Sequence, residues 1–127
     1  MDRSKFIIWD WNSSILNYNI VKFFNNRGYR QAIFSSLSNE KLVKYFDHII
    51  EEPNKTRLFL ENYRIDPKKC IIIGDKLRTY EMAKELGSKS ILVNSKKKNF
   101  NKLRILGDAT ILNNLELLDL LPAMCTL

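Results

Sequence analysis

The chain has 127 residues, 45% hydrophobic and 28% charged, with 21 Lys and Arg against 14 Asp and Glu for a net charge of +7. That size and balance describe one globular domain, residues 1–127, with a single core, and no apolar run approaches the roughly 20 residues of a membrane helix. The start MDRSK has no signal-like apolar region, which sets a cytoplasmic expectation, and Cys70 and Cys125 have neither metal-ligand spacing nor the density of a disulfide framework.

Phe6 to Trp9 is a continuous bulky run without alternation, the pattern of a strand buried on both faces of a parallel sheet. Asp10 ends the run. An ionised carboxylate is costly in an apolar interior unless paired or metal-bound, so the expected place for Asp10 is just beyond the strand's carboxyl end. The polar stretch WNSSILNYN leads into a helix over Ile20 to Arg27, with Ile20, Val21 and Phe24 on its inner face and Gly28 as its stop. Tyr29 to Phe34 reads as a second strand ending in Ser35 and Ser36. Ser38 is a candidate N-cap for a short helix carrying Leu42, Val43 and Phe46, and His48 to Ile50 a brief third strand in which the histidine packs.

Pro53 and Asn54 open a helix from about Lys55 to Tyr63, closed by Asp66 and Pro67. Cys70 to Ile73 is a clear strand stopped by Gly74 and Asp75. A helix over Leu77 to Leu86 follows, with Met82, Ala83 and Leu86 inward and Gly87 as its stop. Ser90 to Val93 is a fifth strand, Lys96 to Lys98 a basic loop, Ala109 to Leu112 a small edge strand, and Leu115 to Leu121 a closing helix. Short buried strands alternating with helices predict a Rossmann-like α/β domain of three layers around a mainly parallel sheet of about five to six strands.

Three predicted strand ends share one form, an apolar run followed by small polar or acidic residues: Asp10 with Asn12, Ser35, and Gly74 with Asp75. In a parallel sheet these ends converge on one edge, where two carboxylates, a hydroxyl and a lysine could surround an anionic group and its metal.

In this order the motifs resemble those of the haloacid dehalogenase superfamily, phosphatases and phosphotransferases built around an aspartyl nucleophile. WDWNSSI resembles the first motif, with Asp10 first, Asn12 in the second acidic place and Ser14 for its Thr; AIFSS resembles the second, with Ser35. Lys55 in EEPNKTRLFLENY is the best match to the third, although Lys68 and Lys69 also lie near a strand. IIIGDKLRTYEMAKELG matches the fourth at Gly74 and Asp75, with Thr79 in the place of its last Asp.

The resemblance implies a magnesium-dependent phosphatase or phosphotransferase acting through an aspartyl-phosphate. Asp10 would be the nucleophile, Mg2+ would sit on Asp10, the Asn12 carbonyl and Asp75, and Ser14, Ser35, Ser36 and Lys55 would hold the phosphate. Two departures favour an alternative, a binding or regulatory protein on the same fold. Asn12 cannot do the acid–base work of the usual Asp, and Thr79 lacks the usual carboxylate. Other readings are a helical turn at Ser35 and Ser36, an ordinary exposed lysine at Lys55, and helix caps at Asp75 and Thr79, the last preferred for Thr79.

Only 24 residues lie between Asp10 and Ser35 and 19 between Ser35 and Lys55, which leaves no room for a cap domain and predicts an open site. A large phosphorylated substrate, such as a macromolecule, or a second copy of the chain would then close it. Nucleic acid ranks low as a partner, because the positive charge is spread over the whole chain.

Overall fold

The computed structural model describes residues 6–10, 18–34, 43–74, 76–93 and 109–111. The chain runs β1 (Phe6–Asp10), α1 (Tyr18–Asn26), β2 (Arg30–Phe34), β3 (His48–Ile50), α2 (Thr56–Asn62), β4 (Cys70–Gly74), α3 (Leu77–Leu86), β5 (Lys89–Val93) and β6 (Ala109–Ile111). Single 3-10 turns precede β3 (Val43–Tyr45), α2 (Pro53–Lys55) and β4 (Pro67–Lys69). All pairings among the strands are parallel, in the order β3-β2-β1-β4-β5-β6. This is the predicted architecture, with Lys55 in a turn rather than in α2. The predicted N-cap Ser38 and the closing helix over Leu115 to Leu121 lie outside the described residues.

Strand order reverses between β1 and β4. There, successive crossovers leave the sheet in opposite directions and open a crevice at the carboxyl ends. Both strands are buried along their whole length, which is why they read as unbroken apolar runs.

The pleat sorts the side chains into two layers. Ile7, Trp9, Ile33, Ile71 and Ile73 pack with Ile20, Val21 and Phe24 of α1; Phe6, Ile8, Ala32, Phe34 and Ile72 pack with Leu60 of α2 and Ala83 of α3. α2 and α3 also meet directly, through Thr56 Oγ1 to Met82 Sδ (3.7 Å) and Arg57 Nη2 to the Glu85 carbonyl (2.8 Å). Gly28 and Gly87 close α1 and α3 in the left-handed region, with φ of 83° and 80°. No helix among the described residues is long and apolar enough to cross a membrane.

One buried polar side chain organises the α1 face. Gln31 accepts from the Trp9 indole N–H (2.8 Å) and donates to the Val21 carbonyl (3.1 Å). A buried amide left without such partners would cost about 1–3 kcal/mol.

At the other end of the strands His48 lies within an aromatic group, 4.4 Å from the Tyr63 ring centre, 5.2 Å from Phe59 and 6.1 Å from Phe6. The Arg30 guanidinium, which can only donate, approaches its Nε2 at 3.4 Å. Burial first and the Arg30 charge second hold His48 below its ordinary 6.5, with Asp47 opposing. A histidine with a depressed folded value stabilises the fold fully above 6.5, and that contribution is lost as pH falls through the folded value. Stability should therefore drop on acidification through this window, and His48→Phe should flatten the drop. Urea midpoints measured across the window check it, and an unchanged slope in the variant would count against His48 as the source.

Candidate active site

Asp10 is the last residue of the central strand, in register with Gly74 of β4, so it lies at the switch point of the sheet. It is 1% exposed, inside the strand rather than beyond it, which corrects the expectation from the apolar run. Burial is tolerable because the carboxylate is paired. Arg78 forks it, Nη2 to Oδ1 at 2.5 Å and Nε to Oδ2 at 3.2 Å, and Thr79 Oγ1 donates to Oδ2 at 3.0 Å. The carboxylate has no exposed surface, whereas the Arg78 side chain that forks it is 45% exposed.

The alternation of β1 puts Asp10 on the same face as Phe6 and Ile8, the face that α3 covers. Beside it Gly74 has no side chain. A Cβ there would collide with the Thr79 side chain and with the Asp10 carbonyl oxygen. The missing methyl lets the first turn of α3 come down onto the strand ends. Lys76 is the helix N-cap and makes no side-chain cap bond, while Thr79 donates its backbone N–H to the Lys76 carbonyl (3.0 Å) and turns its hydroxyl inward. Thr79 is therefore a ligand of Asp10, not a cap, and it is fully buried.

Arg78 was not among the site residues expected from the sequence. Its one signal is its position. The first turn of α3 has no acidic residue, and a cation at the positive end of a helix dipole is unfavourable unless something anionic faces it.

Of the other expected site residues, Asn12, Ser14, Ser35, Ser36 and Asp75 lie outside the described residues. Lys55 follows β3, on the same carboxyl edge as Asp10, while Lys68 and Lys69 lead into β4 from the opposite edge. That geometry sets Lys68 and Lys69 aside. Lys55 Nζ meets Glu51 at 2.6 Å, a pair that raises the ammonium and lowers the carboxyl relative to their ordinary values. β3 is two strands from β1, roughly 10 Å at the usual spacing, so Lys55 would have to leave Glu51 and lean across β2 to approach Asp10.

Cys70 is buried at the far end of β4, and burial pushes its thiol up to about 12, which leaves it a structural residue.

Among the described residues no three His, Cys, Asp or Glu side chains gather to hold a metal ion. Of the expected magnesium ligands only Asp10 is described, and a guanidinium already engages both of its oxygens. A divalent cation and that fork compete for the same lone pairs, so the described donor set does not fit magnesium as it stands.

A family model described as HAD-hydrolase-like matches residues 52–117, just over half of the chain. The chain belongs to this family. Its fold is also similar to that of the core domain of a candidate phosphoglycolate phosphatase from Streptococcus pneumoniae TIGR4, with a TM-score of 0.68 at 18% identity over 96% of this chain and 97% of that one. A 2-haloacid dehalogenase from Pseudomonas syringae pv. Tomato DC3000 gives 0.68 at 18% identity over 84% of this chain, and a candidate beta-phosphoglucomutase from Thermotoga maritima gives 0.65 at 20% over 83%. The chain spans about half the length of these last two, 51% and 57%. No curated protein matches the sequence. At such identities the structural likenesses speak to the fold, and the HAD-type fold is the one built above from the strand order and the switch point.

Proposed function

We propose that this HAD-hydrolase-like protein is a hydrolase of phosphate monoesters with Asp10 as its nucleophile. The observation that carries the reading is a buried, ion-paired carboxylate at the carboxyl end of the central strand, at the switch point of the sheet. Among the described residues Oδ2 accepts two hydrogen bonds and Oδ1 one, so Oδ2 is the anchored oxygen and Oδ1 the one with a lone pair left to attack.

In the proposed reaction Oδ1 attacks phosphorus, the ester oxygen leaves with its electron pair and takes a proton from water, and a second water cleaves the aspartyl-phosphate to return carboxylate and inorganic phosphate. The covalent intermediate divides one difficult displacement into two. Ser14, Ser35, Ser36 and Lys55 remain the proposed phosphate contacts. Asn12 as an amide supplies no proton, which sets slow turnover as the expectation. Magnesium on Asp10, the Asn12 carbonyl and Asp75 remains a proposal, and no step above is routed through it. A phosphorylated macromolecule or a second copy of the chain is the proposed means of closing an uncapped site, and the cytoplasm its proposed location.

The engagement of both Asp10 oxygens by Arg78 favours a second reading, a phosphate-binding regulatory protein without turnover. Hydrolysis of an aryl phosphate, with and without Mg2+, by wild type and by Asp10→Asn separates the two. Loss of about 10²-fold or more in the variant is expected from removal of the nucleophile. Equal rates in the two proteins would remove Asp10 from the reaction, and phosphate binding without any turnover would establish the second reading.

A further inference from the structure

We propose that Arg78 is the resident counter-cation of Asp10 and that a divalent cation can reach this carboxylate only by displacing it. Three observations converge. The guanidinium engages both carboxylate oxygens, at 2.5 and 3.2 Å, and Thr79 takes a further lone pair of Oδ2. Asp10 has no exposed side-chain surface, whereas Arg78 is 45% exposed, so the arginine is the one of the two that can swing away into water. The position of Arg78 in the first turn of α3 is electrostatically unfavourable for the helix alone, and the facing carboxylate offsets that cost.

The arginine thus acts as a latch. With Arg78 docked, both oxygens of Asp10 are oriented and already paired, and an incoming Mg2+ meets a positive charge within ion-pairing distance. With Arg78 withdrawn, a buried carboxylate keeps, among the described residues, only the Thr79 hydroxyl, and a divalent ion can take the place of the lost charge. Arg78 is a positioning residue in this scheme. The latch concerns cation binding to Asp10 and stands whether or not Asp10 turns over a phosphate ester.

Isothermal titration of wild type, Arg78→Ala, Arg78→Lys and the Asp10→Asn/Arg78→Ala double variant with MgCl2 tests the latch. Arg78→Ala should bind Mg2+ about ten- to a hundred-fold more tightly than wild type, because a like charge has been removed at close range. Arg78→Lys should stay weak, since it restores the charge without the fork. The double variant should lose the gain. Equal affinity in wild type and Arg78→Ala overturns the latch, and so does a gain that survives in the double variant, which would place the ion elsewhere. Should Arg78→Ala fail to fold without metal, Arg78→Gln takes its place, with thermal melting as the readout. Mg2+ must then raise its melting temperature by more than that of wild type; an equal or smaller rise overturns the proposal.

Discussion

Gly74→Ala should destabilise the protein by about 3 kcal/mol or more, the upper end for overpacking a filled core. Gly74 sits between β1 and β5 in the centre of the sheet, and its missing Cβ leaves the space that the Thr79 side chain and the Asp10 carbonyl occupy. A side chain at the end of a helix can rotate, but a carbonyl in the register of a buried parallel strand cannot move without disturbing the pairing of Asp10 with Gly74. Thr79→Ala in the same chain should therefore restore only part of the loss, because it relieves one collision and leaves the other. Urea unfolding of the single and double variants measures both terms. A single-variant loss below about 1 kcal/mol would show that α3 can lift off the strand ends freely.

Arg78→Ala should cost about 2–3 kcal/mol, less than the full cost of breaking a wholly buried ion pair because the arginine is half in water. The loss comes mainly from the carboxylate left behind. Asp10→Asn should cost less than Arg78→Ala, since a neutral amide tolerates burial and the freed guanidinium can hydrate. The Asp10→Asn/Arg78→Ala double variant should be more stable than Arg78→Ala alone. This non-additivity is the signature of a coupled pair, and a chemical denaturation cycle reads it directly. Additive losses would mean that the fork seen between Asp10 and Arg78 contributes nothing to stability in solution.

Much of the architecture was legible in the chain. The apolar runs of β1 and β4 identify themselves because a strand covered on both faces needs no alternation, and the helix over Leu77 to Leu86 was readable from its inner residues and its terminal glycine. Asp10 was legible as the focus because an ionised carboxylate ending such a run is costly unless paired or metal-bound, and because WDWNSSI resembles the first motif of a known superfamily. Lys55 could be placed after β3, but not its engagement with Glu51, since a surface lysine reaches several partners with similar energy.

The surroundings of Asp10 were decided in three dimensions. Arg78 and Thr79 lie 68 and 69 residues from it along the chain. Three non-local facts bring them together: the parallel register that sets Gly74 beside Asp10, the pleat that turns Asp10 toward the α3 layer, and the absence of a side chain at Gly74 that lets the helix descend. Periodicity reports which face of an element is apolar, but not which element will cover that face or at what height. By itself the sequence determined that a carboxylate follows an unbroken apolar run, the pattern of a strand buried on both faces. Only the tertiary structure decided that the carboxylate is enclosed inside the strand, because a buried carboxylate needs partners, and among the described residues the fold supplies an arginine and a threonine hydroxyl from α3.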